Sequence, residues 1–116
     1  RIYAAHPDHL AAGEATVCSV YPDARNGHSF PELLDEGRAP HAMPRVWLMA
    51  GNDNNLHVDI TDSFDRKIEA LIAYHSQNDD RADGLPTMIR EWAHGNAAMA
   101  GFEGRAVESF KVVHTE

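Results

Sequence analysis

The chain is poor in cysteine, in basic residues and in long apolar runs. Its one cysteine, Cys18, among 116 residues excludes an intrachain disulfide and points to a reducing compartment. Ten Lys and Arg stand against eighteen Asp and Glu, for a formal charge of −8. No basic stripe runs between the aromatics, so a nucleic-acid partner lacks its electrostatic footprint. The longest uninterrupted apolar runs, VWLMA at 46–50 and ALIAY at 70–74, fall far short of the roughly 20 residues a membrane helix needs. No secretory leader is visible, no membrane partner is expected, and the expected location is cytoplasmic. At this length a compact domain buries about two-thirds of its unfolded surface around one core.

Histidine, by contrast, is plentiful, with eight in the chain. His28, His41, His57, His94 and His114 are scattered singly through polar or irregular surroundings and read as ordinary surface residues. Only His6 and His9 cluster, in YAAHPDHLAAG at 3–13.

Periodicity predicts a helix over about 7–20, with Pro7 in its first turn and Leu10, Glu14/Gly13, Val17 and Val20 at helical spacing. Residues 21–44 form a long irregular connection that carries four of the six prolines, and its length argues for a functional or packed loop. RVWLMA at 45–50 reads as a buried strand, GNDNN as a turn and HVDIT at 57–61 as extended. In the clearest helix, SFDRKIEALIAYH, the residues Phe64, Ile68, Leu71 and His75 share one face, with Asp62 or Ser63 as cap. A loop at 76–84, a helix over about 85–100 and a strand at 107–114 complete the α/β reading. Three helices and two or three short strands are too few to build a sheet covered on both faces, so the sequence reads as a piece of a larger domain.

In HPDH the two imidazoles lie three residues apart on one side of a first helical turn, with a carboxylate between them. Such a turn can supply one metal ligand and one acid–base group. A helix N-terminus disfavours an imidazolium and favours anions, including a developing oxyanion. The same spacing also serves a helix cap or a surface pair, and both readings stay open. A zinc site needs three protein ligands and a water. No second His, Asp or Glu group with ligand spacing is evident, so the other ligands must come from elsewhere.

AAHPDHLAAGEA, followed by VWLMAG, VDITDSFDRKIEAL and HSQ at 75–77, resembles the LmbE-like deacetylases, which include GlcNAc-inositol and GlcNAc-phosphatidylinositol (PIG-L type) de-N-acetylases and mycothiol-conjugate amidases. The resemblance spans nearly the whole chain. Members carry an AHPDD motif after their first strand and HPDH well downstream, so the chain corresponds to the C-terminal half. It would then be the C-terminal portion of one Rossmann-like three-layer domain without its first strands. By resemblance His9 is a zinc ligand, His6 stabilises the oxyanion or acts as an acid, and Asp8 orients or tunes His6. Two further ligands and the aspartate general base belong to the early motif, which this sequence lacks. Some relatives have a tyrosine two residues before the first histidine. Ala4 stands there, with Tyr3 one residue further out, and no role is assigned to either. His75 reads as a core or helix-end histidine, Lys67 as surface charge and Asp62 as a cap.

The implied activity is hydrolysis of an N-acetyl group on a GlcNAc-type glycoside or related small molecule, with Zn2+ or another divalent metal as cofactor. The N-terminal half of the same domain would be the partner, docked on the faces of helix 7–20 and strand 45–50, and a homo-oligomer is also compatible. The loop 21–44 would line the substrate mouth. Alone, this segment would be inactive. The alternative is a non-catalytic remnant of the same fold that binds a sugar or a partner. An inositol glycoside, a malate glycoside, a thiol conjugate and an antibiotic precursor all remain open as substrates.

Overall fold

A computed structural model of the chain describes residues 6–49, 51–78 and 83–115. Tyr3 and Ala4, the last residue of the expected strand, Ala50, and positions 79–82 of the expected loop lie outside the described residues. In chain order the elements are helix α1 (Pro7–Cys18), the short helix α2 (Pro31–Asp35), strands β1 (Arg45–Met49) and β2 (Leu56–Asp59), helices α3 (Phe64–Ile72), α4 (His75–Asn78) and α5 (Leu85–Ala100), and strand β3 (Val107–His114). The protein is of mixed α/β character, with one three-stranded sheet in the order β1-β3-β2. Strands β2 and β3 are antiparallel, with Leu56 opposite Phe110 and His57 opposite Ser109. Among the described residues, no helix is long and apolar enough to cross a membrane.

Two compact units emerge, one from 1–47 with 112–116 and the other from Leu48–Lys111. In the first, α1 begins where proline geometry demands, with Pro7 in its first turn and Asp8 near the positive end of the helix. It ends two residues before the expected Val20. A single wider turn, Ser19–Asp23, follows, in which Tyr21 is extended at φ −153° and ψ 127°. The cause is local, because the ring of Pro22 drives the residue before it out of the helical region. No residue of α1 is buried, and in β1 only Val46 is half-buried.

The expected irregular connection contains α2, which Pro31 opens. It folds back on itself: the amide of His41 donates to the Ala24 carbonyl at 2.7 Å and that of Arg38 to Leu33 at 2.9 Å. Phe30, Leu33, Leu34 and Pro40 line a cavity of about 210 Å3 inside it. The loop thus has local order of its own, yet Phe30, Leu33 and Leu34 remain exposed and none of its residues is buried.

Every buried hydrophobic residue among those described belongs to the second unit. Phe64 and Ile68 of α3 meet Ala93 of α5 and Ala106, with Ile60, Ile72 and Ile89 packed around them. The alanines let α5 approach closely, since a larger side chain there would overpack the contact. The Arg90 guanidinium lies 4.6 Å above the Phe64 ring, a cation–π contact. Helix α3 stops at Ile72, so His75 does not continue its apolar face; it opens α4 and is exposed, in keeping with the helix-end reading. The expected cap is corrected as well. Ser63 precedes α3 without a side-chain capping bond, and Asp62 lies exposed in a short tight turn, Thr61–Ser63. Asp59 instead forms a local turn ahead of it: its Oδ1 accepts from the Thr61 amide at 2.9 Å and from the Thr61 hydroxyl at 2.6 Å.

Candidate functional site

His6 is the N-cap of α1, extended at φ −64° and ψ 143°. Its carbonyl accepts from the amides of His9 and Leu10 at 2.9 and 3.2 Å, and its Nδ1 accepts from the Asp8 amide at 3.2 Å. A ring nitrogen that accepts an N–H bond carries no proton, so the proton of neutral His6 sits on Nε2. The Asp8 carboxylate approaches the same Nδ1, with Oδ2 at 3.5 Å. It becomes a hydrogen-bond partner only when Nδ1 is protonated, and Nδ1 then cannot serve the Asp8 amide. His9 lies one turn on, its ring 6.0 Å from that of His6 at an interplanar angle of 57°. All three residues are exposed.

The sequence-predicted trio thus stands on one helical turn. The capping reading is realised by His6, while the ligand reading of His9 rests on an open imidazole. Among the described residues, no group of three or more His, Cys, Asp or Glu side chains could hold a metal ion. The donors present fit one position of a zinc site and no more, since such a site takes three protein ligands.

The Leu48–Lys111 unit holds polar contacts that sequence reasoning missed. Lys67, expected as surface charge, is about one-third exposed and forms an ion pair with Glu108 of β3. His57 Nδ1 and Ser109 Oγ lie 2.9 Å apart across the β2–β3 pair. The Thr61 hydroxyl, which donates to Asp59, also accepts from the Ala106 amide at 3.0 Å. Its bond and the Thr61 amide hold the Asp59 carboxyl below the usual carboxylate range, and Arg105 adds a weaker pull in the same direction. The Lys111 ammonium, 2.8 Å away, does the same for Asp53. These pairs join residues far apart in sequence. The strand register would have placed His57 opposite Ser109, and the D-x-T spacing marks the local turn at Asp59; no sequence signal marks Lys67–Glu108 or Asp53–Lys111. Compared with protein-family models and with curated proteins, the chain has no match in either.

Proposed function

We propose that this chain supplies the late half of the active site of a zinc-dependent N-acyl hydrolase of the LmbE-like type. Its substrate is an N-acetylated GlcNAc-type glycoside or a related small molecule, and its parent fold is a Rossmann-like three-layer domain. The observation that carries the reading is the gathering of His6, Asp8 and His9 on one exposed turn, with the two imidazoles 6.0 Å apart. The order of the sequence motifs supports it. The antiparallel β2–β3 pair is compatible with it, because doubly wound sheets commonly carry an antiparallel strand.

When bound, the zinc ion supplies a Lewis acid that acidifies water and polarises the acyl carbonyl. His9 is the ligand this chain offers. His6, with its proton on Nε2, offers a neutral donor to the acyl oxygen as negative charge grows there. The N-terminus of α1 adds a partial positive charge of the same sense. Asp8 fixes the His6 ring through its own amide and offers its carboxylate if Nδ1 takes up a proton. The remaining ligands and the general base belong to the early motif. A non-catalytic remnant is the second reading, favoured by the His6 cap, since a capping imidazole needs no catalytic purpose.

The test uses a protein that holds both this sequence and the early motif. His9→Ala should lose zinc, measured by metal analysis, together with turnover. His6→Ala should keep its zinc while kcat falls about a hundred- to a thousandfold, or about 3–4 kcal/mol. Equal zinc loss in the two variants would mean the roles are wrongly divided. Normal turnover in both would leave the remnant reading.

A further inference from the structure

Within the Leu48–Lys111 unit, a cleft of about 240 Å3 opens between α3, α5 and β3. Ile89, Trp92 and Asn96 of α5 recur at helical spacing along its wall, Met49 stands at its side, and Lys67 and Glu108 belong to its lining. Three features of the cleft define a ligand.

The first is an exposed aromatic side chain at the cleft. Trp92 lines the cleft yet is 63 % exposed, and Met49 is 73 % exposed. The core takes little from either side chain. The indole face carries the negative side of the ring quadrupole and attracts polarised C–H groups laid flat against it.

The second is a charge-neutral polar partner. The side chains of Lys67 and Glu108 pair with each other and retain 34 % and 33 % exposure. A half-buried pair presents an N–H donor and carboxylate lone pairs side by side, with their charges cancelled. It therefore gives no net attraction to an anion or a cation and suits a group that donates and accepts at adjacent atoms, as neighbouring hydroxyls do. The amide of Asn96 is fixed in the same wall by its bond to the Val107 carbonyl at 3.3 Å.

The third is size. The volume lies below the roughly 300–1,000 Å3 of sites for drug-sized ligands, which leaves room for one ring and not for a chain of them.

We infer that this cleft binds one ring of a neutral, hydroxyl-rich sugar, its C–H face on Trp92 and its hydroxyls on the Lys67–Glu108 pair. The inference stands on the cleft alone and does not need the zinc reading.

The indole N–H resonance lost in Trp92→Phe identifies Trp92 by NMR. That resonance is followed in a protein containing this sequence during titration with methyl glucoside, N-acetylglucosamine, adenosine and inorganic phosphate. A saturable shift with either sugar and none with phosphate is expected. Trp92→Ala should weaken sugar binding at least tenfold, read from the amide resonances of Asn96 and Glu108, with the amide spectrum of the Phe64–Ile68 core unchanged. Glu108→Gln should weaken it severalfold. The sugar response should persist in His9→Ala, so failure of the zinc reading and failure of this one are separable. A response to adenosine alone would assign the cleft to flat heteroaromatic rings. A response to phosphate would overturn the neutral-pair reasoning, and no response to any probe would remove the site.

Discussion

His6 meets two demands at one nitrogen. Its Nδ1 caps α1 by accepting from the Asp8 amide, and that bond leaves the proton on Nε2, where a substrate could use it. The two roles separate by substitution. Asparagine is a strong N-cap and alanine a weak one, with about 1 kcal/mol between them. His6→Asn should therefore hold the melting temperature near that of the parent, His6→Ala should lower it, and both should lose turnover alike. Recovery of turnover in His6→Asn would mean that the ring acts only as a cap. Asp8→Asn keeps the donating amide, so it should keep both α1 and the metal and lower kcat less than His6→Ala does.

Asp59 gives a pH prediction with a definite sign. Its carboxyl titrates below the ordinary value, chiefly because the Thr61 hydroxyl and amide bond its charged form. A depressed carboxyl stabilises the fold above the unfolded pKa of about 3.9, and the contribution is lost as pH falls through the lower folded value. The stability difference between the parent and Asp59→Asn, from denaturant midpoints, should be constant above about pH 5 and shrink in more acid solution. Thr61→Val removes the hydroxyl that also serves the Ala106 amide. It should cost about 1 kcal/mol or more at neutral pH and flatten that acid slope.

At the scale of elements, boundaries follow local chemistry and partnerships do not. Pro7, Pro31 and Pro86 sit in the first turns of α1, α2 and α5, where a missing N–H costs nothing. Helix α5 ends at Gly101, whose φ is 77°, and the Phe102 amide returns to the Ala97 carbonyl at 2.8 Å. A Cβ at Gly101 would meet nothing within 4 Å, so only the left-handed backbone opposes a side chain there. Gly101→Ala should cost about 1–2 kcal/mol, read as a lower denaturation midpoint at unchanged m-value. Helix α3 is tied to β3 by Lys67 and Glu108, 41 positions apart. Neither residue's neighbours announce the pair.

Burial across the molecule is uneven. The buried hydrophobic residues among those described are confined to Leu48–Lys111, and the other unit contributes none of them. Phe64, at 3 % exposure, is the largest side chain of the buried cluster with Ile68, Ala93 and Ala106, so Phe64→Ala should cost about 3–5 kcal/mol. Against a typical domain stability of about 5–15 kcal/mol, that is a large share, to be measured by thermal or denaturant unfolding. The candidate site, in contrast, depends on α1, which buries no residue of its own. With one ligand on hand, residues 1–116 expressed alone should show no zinc-dependent deacetylase activity. Turnover by that segment, with zinc retained after dialysis, would overturn the half-site proposal.

The sequence by itself determined the elements that obey short-range rules: the start of α1 at Pro7, the Phe64–Ile68 face, the strand at Val107–His114 and the crowding of His6, Asp8 and His9 on one turn; α2, opened by Pro31 inside the expected irregular connection, was not among them. A helix brings residues three apart together whatever surrounds it. Tertiary structure alone decided that Lys67 pairs with Glu108, that His57 meets Ser109, that the Thr61 hydroxyl bonded to Asp59 also receives the Ala106 amide, and that Trp92 lines a cleft while remaining exposed. Those outcomes depend on which strand neighbours which and on how closely α5 packs. Both follow from long-range contacts whose spacing leaves no periodic trace in the chain.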